Sequence, residues 1–212
     1  MTQKLSITIG REFGSGGHEI GMRVGELLGF RVYDKELLSM AAEKQGMNTD
    51  TLRRVEEKAA NSLLYTLALG SSLYGVRNFG MDVPINDQLF LTQTEIIQAA
   101  AEEESCVFVG RCADYVLRNR ENVIRVFVYA DRESRIARVC DKLGLSRDEA
   151  IAKIQKTDKS RVTYYNFYTG KKWGKFENYD LSVNSALLGT EGTAQMIADI
   201  AKIYLQNQGK KA

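Results

Sequence analysis

The stretch from Leu5 to Leu28 restricts the possible folds of this 212-residue chain more than any other. Leu5, Ile7 and Ile9 form a short, mostly apolar run, as a buried central strand requires. Gly10, Gly14, Gly16 and Gly17 then crowd a single loop, more glycine than a turn needs. Ile20, Val24, Leu27 and Leu28 recur at helical spacing. Strand, glycine loop and helix in that order cradle phosphate. Glycine lets the backbone approach an anion, its N–H groups point inward, and the helix N-terminus adds partial positive charge. The anion-binding candidates are therefore Gly10, Arg11, Gly14, Ser15, Gly16, Gly17 and His18. The loop departs from the common phosphate-loop ending Gly-Lys-Ser/Thr. Gly17 stands at the lysine position, His18 and Glu19 follow, and Arg11 is the cation within the loop. A tight turn without a ligand is the plain alternative.

Further short apolar runs alternate with helical patterns. Phe30–Tyr33, Cys106–Val109, Val123–Tyr129 and Tyr179–Val183 read as strands. Helices are expected over 35–44, 87–104, from Asp131 or Arg132 to Cys140, from Ser146 to about Tyr164, and over 190–205. Gly29 sits at a helix C-cap position, and Ser146 with Glu149 forms a capping box. This alternation predicts an α/β fold with a parallel sheet between helices. The stretch 53–89, with a nearly continuous apolar run over 61–70, reads as an insertion standing off the sheet. Ligands of such sheets bind at the carboxyl ends of the strands. Arg11, Asp34, Arg111, Asp114, Asp131, Arg132 and Asn184 collect there.

Composition excludes several classes. With 29 basic against 27 acidic residues the net charge is +2, which creates no strong field for nucleic acid or a membrane. No apolar run approaches the roughly 20 residues of a membrane span. Met1 to Lys4 lead straight into a strand, so no signal peptide is expected. Cys106, Cys112 and Cys140 lack metal-type spacing and are odd in number, so a reducing cytoplasm is expected. The apolar 61–70 region could mediate a homodimer.

Four segments resemble the cytidylate kinase-like family of P-loop nucleoside monophosphate kinases. They are Ile9 to Gly17, Tyr33-Asp34-Lys35-Glu36-Leu37, Val109-Gly110-Arg111-Cys112-Ala113 and Tyr179 to Asn184. The resemblance implies a three-layer P-loop kinase-like fold with a five-stranded parallel sheet flanked by helices, a helical insertion and a basic lid. It implies ATP and Mg²⁺ as co-substrates. On that reading residues 1–212 are a single domain. Its core covers about 1–52, 90–150 and 176–208, its substrate-binding insertion about 53–89 and its lid about 151–175. Cytidylate kinases carry Gly-Lys-Gly-Thr in the loop and Asp-Gly-Arg-Asp after the third strand. Here Gly17 replaces the lysine, and Gly110-Arg111 lack both aspartates.

In phosphoryl transfer the protein mainly positions groups and neutralises charge. Arginine grips phosphate with a planar fork, and a carboxylate orients a hydroxyl or holds the metal. Arg161, Lys159, Asp158 and Asp34 are the catalytic candidates. Arg111, Arg132, Arg135 and Arg138 join the loop as phosphate-binding candidates, and Asp34 and Asp114 are the metal candidates. Arg161, brought in by closure of the lid, is favoured over Arg11 as the source of the missing lysine's charge. The expected function is ATP-dependent phosphoryl transfer to a nucleoside monophosphate, cytidylate-like, or to another small phosphate acceptor. A non-catalytic nucleotide-binding or regulatory protein is the alternative, because of Gly17.

Overall fold

The computed structural model describes residues 4–34, 36–44, 46 and 85–209. Its five strands are β1 (Ser6–Arg11), β2 (Arg31–Tyr33), β3 (Cys106–Val109), β4 (Val123–Tyr129) and β5 (Leu181–Asn184). They form one parallel sheet in the order β2-β3-β1-β4-β5. β1 and β3 are neighbours in its interior, running in register from Ser6–Cys106 to Ile9–Val109, as their apolar character predicts. β4 flanks β1 on the other side, from Ser6–Val123 to Arg11–Val128.

The helices are α1 (Gly17–Leu28), α2 (Glu36–Lys44), α3 (Ile85–Glu103), α4 (Ala113–Val116), α5 (Arg132–Leu143), α6 (Arg147–Thr169) and α7 (Ser185–Gly209). One face of the sheet presents Leu5, Ile7, Ile9, Val107, Val109, Ile124, Val126 and Val128. It packs on Ile20 and Val24 of α1 and on Ala194, Ile197 and Ala201 of α7. Ser6, Thr8, Cys106 and Phe108 point the other way and are buried too, so both faces are covered. α5 and α6 pair through Ile136, Val139, Ala150 and Ile154, with Phe13 of the glycine loop against them.

The chain divides into two compact units, Met1–Asp34 with Ile97–Ala212, and Lys35–Ile96. All five strands lie in the first. Within the second, Ala41, Ala42 and Leu89 pack with Ile96, and Lys44 pairs with Glu95 at 2.9 Å.

Local chemistry explains most element ends. Gly29 at φ 66° closes α1, its N–H donating to Glu26 while Phe30 N–H donates to Gly25. Asp131 caps α5 by accepting from Ser134 N–H. Ser146 and Glu149 form the expected capping box on α6.

Several boundaries differ from expectation. α3 starts at Ile85, two residues before the expected Asp87. α6 runs to Thr169 instead of about Tyr164. Tyr165 and Thr169, four apart, are both buried and continue the inward face of α6 past Arg161. β5 starts at Leu181 rather than Tyr179, because Phe176–Asn178 form a 3₁₀ turn. α7 begins at Ser185, breaks at Gly189, and absorbs the expected 190–205 helix. The apolar 61–70 region, its dimer role and most of the 53–89 insertion lie outside the described residues.

Candidate active site

The loop after β1 leads straight into α1 at Gly17. Gly14 and Gly16 take positive φ of 83° and 79°, which lets the chain fold back on itself. Gly16 is the N-cap of α1 and offers no side-chain cap. The first N–H groups of α1 therefore point toward the loop, without a partner inside the helix. Ser15 is fully buried and serves structure, since its hydroxyl donates to Glu12 O at 2.9 Å and its carbonyl accepts from Ser185 Oγ at 2.6 Å.

Side chains distant in sequence brace the outside of this loop. Arg135 Nε donates to Phe13 O at 2.7 Å, and its guanidinium pairs with Glu12 at 3.1 Å and with Asp158. Asp158 Oδ1 accepts from Phe13 N–H at 2.8 Å. Arg161 Nη1 donates to Arg11 O at 2.9 Å and lies over the Phe13 ring. Arg135, Asp158 and Arg161 thus hold loop backbone. Arg138 comes up beside Gly16, where an added Cβ would lie 3.0 Å from Nη1. Arg132 and Lys159 are exposed, on α5 and α6.

Inward from this brace, cations gather at the strand ends. Arg11 Nη2 lies 3.4 Å from Asp34 Oδ1, and His18 Nδ1 lies 2.7 Å from Asp34 Oδ2. Burial, then the charges of Arg161 and Arg111, pulls the Arg11 guanidinium down to about 9 against the opposing pull of Asp34. It remains cationic at neutral pH. Burial lowers Arg161 also, Asp158 and Asp34 opposing. Gly110, Arg111 and Cys112 follow β3 with positive φ of 78°, 57° and 55°. For Arg111 and Cys112 this is a strained conformation of the kind found at ligand sites. Asp114 does not join the cluster. It is buried on α4 and accepts from Tyr165 Oη at 2.6 Å. Burial raises it, and the Tyr165 hydrogen bond only partly offsets this.

A parallel sheet in the order 2-3-1-4-5, a glycine loop after its middle strand and a basic rim are the elements of a P-loop kinase. Residues 6–187 match the cytidylate kinase-like family. This chain belongs to that family. A cytidylate kinase of Pyrococcus horikoshii is 24% identical over 196 residues, covering 92% of this chain and 86% of its relative. A crystal structure of an uncharacterized protein from Eubacterium ventriosum is 27% identical with a TM-score of 0.67, covering 96% of this chain and 99% of that one. Shikimate kinase from Bacteroides thetaiotaomicron shares the fold, with a TM-score of 0.52 at 14% identity, over 93% of this chain and 98% of its own.

Within this cytidylate kinase-like chain, sequence reasoning singled out the loop, Asp34, Arg111, Arg132, Arg135, Arg138 and Arg161 as candidates. It did not foresee that Arg135 and Asp158, 23 positions apart, meet on Phe13. Nor did it pair Tyr165 with Asp114, 51 positions away. A Tyr-Tyr pair on a basic helix carries no local signal of a buried carboxylate partner.

Proposed function

We propose that this chain transfers a phosphoryl group from ATP to a small phosphate-bearing acceptor, foremost a nucleoside monophosphate of the cytidylate type. The observation that carries this is the gathering of Arg11, Arg111 and Arg161 at the strand ends, beside a glycine loop. Both Arg11 and Arg161 are lowered despite Asp34 and Asp158. Burial is the main cause of the lowering in both, and polyanionic phosphates would offset that cost.

The residues present fit the expected co-substrates. The unpartnered Nε of Arg11, buried at the rim, and the uncapped start of α1 suit phosphate oxygens. Mg²⁺ is commonly held by one or two carboxylates together with substrate phosphates. Asp34, at the rim, suits that part, whereas the Asp114 carboxylate is taken by Tyr165. ATP with Mg²⁺ would supply the transferable phosphoryl group and further charge neutralisation. The chain's own part is to hold the donor phosphates on loop N–H groups and to grip the acceptor's phosphate with Arg111. The clamp of Arg135, Asp158 and Arg161 keeps the loop in shape throughout.

A panel of nucleoside monophosphates incubated with ATP and Mg²⁺, read for ADP and diphosphate product, tests this reading. Product from the cytidine nucleotide, lost in Arg111→Ala, is expected. ATP binding without product on any acceptor would favour the nucleotide-binding reading that Gly17 raises.

A further inference from the structure

We infer that Arg11 supplies, from the end of β1, the cation that phosphate loops ordinarily carry as the lysine replaced here by Gly17. The inference rests on the ATP-binding reading above and names the residue that does this part of its work.

The argument begins with space. A Cβ added at Gly17 would lie 2.4 Å from Arg11 Cβ and 2.8 Å from Arg11 Cγ. The stem of Arg11 therefore fills the volume in which a side chain at position 17 would begin. The same holds further along. A Cβ added at Gly110 would lie 1.8 Å from Arg11 Nη1, so the guanidinium rests on the bare Cα of Gly110. Gly17 and Gly110, at the ends of different segments, are two walls of one trough, and Arg11 lies in it.

The second step concerns what Arg11 lacks. Its Nε is buried without a hydrogen-bond partner. Nη2 has only a long contact with Asp34, at 3.4 Å, and Asp34 also holds His18. A buried guanidinium used only for packing would have its donors matched, because an unmatched buried donor costs free energy. A phosphate oxygen beside the loop would supply the missing acceptor and charge. Arg161, the rival candidate, is placed otherwise. Its Nη1 donates to the carbonyl of Arg11 at 2.9 Å, so it positions the backbone from which Arg11 springs. Phosphate-loop lysines reach the β- and γ-phosphates of the nucleotide. Arg11, starting in the same volume, serves the same phosphates.

The test is equilibrium binding of fluorescent ATP and AMP analogues, with thermal unfolding as a fold control. Arg11→Met keeps the stem in its trough and removes the charge. It is expected to weaken the ATP analogue about tenfold or more, as loss of a charge-assisted phosphate contact does. The AMP analogue, without β- and γ-phosphates, should change less than about threefold. A merely structural role would move both alike. Gly17→Lys alone should bind poorly, because its Cβ collides with the Arg11 stem. Arg11→Gly combined with Gly17→Lys empties the trough and restores the ordinary lysine. Alanine would not serve, since the collision includes Cβ itself. The double variant should bind the ATP analogue at least about fivefold better than Arg11→Gly alone. Unchanged ATP-analogue binding in folded Arg11→Met, an equal loss for both analogues, a double variant no better than Arg11→Gly, or no ATP-analogue binding by the wild type would each overturn the inference. Failure of the acceptor panel with the Arg11 pattern intact would overturn phosphoryl transfer alone.

Discussion

Removing the Tyr165 hydroxyl should expose how the buried carboxylate of Asp114 is kept. Tyr165 and Asp114 are 4% and 9% exposed, and Tyr165 Oη donates to Asp114 Oδ2 at 2.6 Å. Burial beside Asp114 pushes the phenol up, so it stays a donor. In Tyr165→Phe the ring packing survives and the carboxylate loses its side-chain donor. A hydrogen bond to a charged group contributes about 1.5–3 kcal/mol, so a loss of about 2 kcal/mol is expected. For a chain of this size that is a fall in Tm of about 4–8 °C. The pH dependence follows from linkage. The folded-state pKa of Asp114 lies above the ordinary 3.8 because burial outweighs its hydrogen bonds. Between the ordinary and the raised value the folded state binds more protons than the unfolded one, so stability falls as pH rises through that window. Above the window the penalty is constant. The Tyr165 hydrogen bond favours the ionised form, so its removal raises Asp114 further and extends the window upward. The deficit of Tyr165→Phe should therefore grow with pH. Urea unfolding at about pH 4, near the ordinary value, and at about pH 8 reads this directly. In an Asp114→Asn background, Tyr165→Phe should cost under about 1 kcal/mol. An equal deficit at both pH values, or an undiminished one in the Asn background, would refute the reasoning.

Other outcomes follow from the loop and its brace. Gly14→Val and Gly16→Val place side chains at positive φ, 2.9 Å from Arg135 O and 2.7 Å from Thr190 Cγ2. Both should abolish ATP-analogue binding in titration while circular dichroism still shows a folded chain. Asp158→Ala removes the acceptor of Phe13 N–H and one partner of Arg135, and should cost about 1–3 kcal/mol in urea unfolding. Lys159→Ala, on an exposed side chain, should change stability by under about 0.5 kcal/mol in the same assay. Hydrogen exchange over 151–175, with and without a non-hydrolysable ATP analogue, tests whether this segment acts as a lid. Greater protection with ligand is expected, and equal protection would count against closure.

The parallel sheet was legible because its signal is local. Ile7, Ile9, Val107 and Val109 are apolar whichever strands lie beside them, and continuous apolar runs belong at the centre of a parallel sheet. Caps were legible for the same reason, since Ser146 and Glu149 bond to each other across three positions. The end of α6 was not legible. Tyr164, Tyr165, Phe167 and Tyr168 show no single apolar stripe. The partner of Tyr165 is Asp114, 51 positions away, and what ends the helix is Gly170 at φ 68°. The loop brace was illegible too. Arg135 and Asp158 read as surface charge on two helices until the α5–α6 pairing carries both to Phe13.

Gly17 shows how far a motif can inform. Read along the chain, it is a gap where a lysine belongs. In three dimensions it is space used by Arg11, and Gly110 is more of the same space, 99 positions from Arg11. The register of β1 with β3 is what joins them, since it sets Ile9 beside Val109 and carries the next residues of both strands to one rim. Neither glycine could gain a side chain without displacing Arg11. The three positions should therefore change together or not at all.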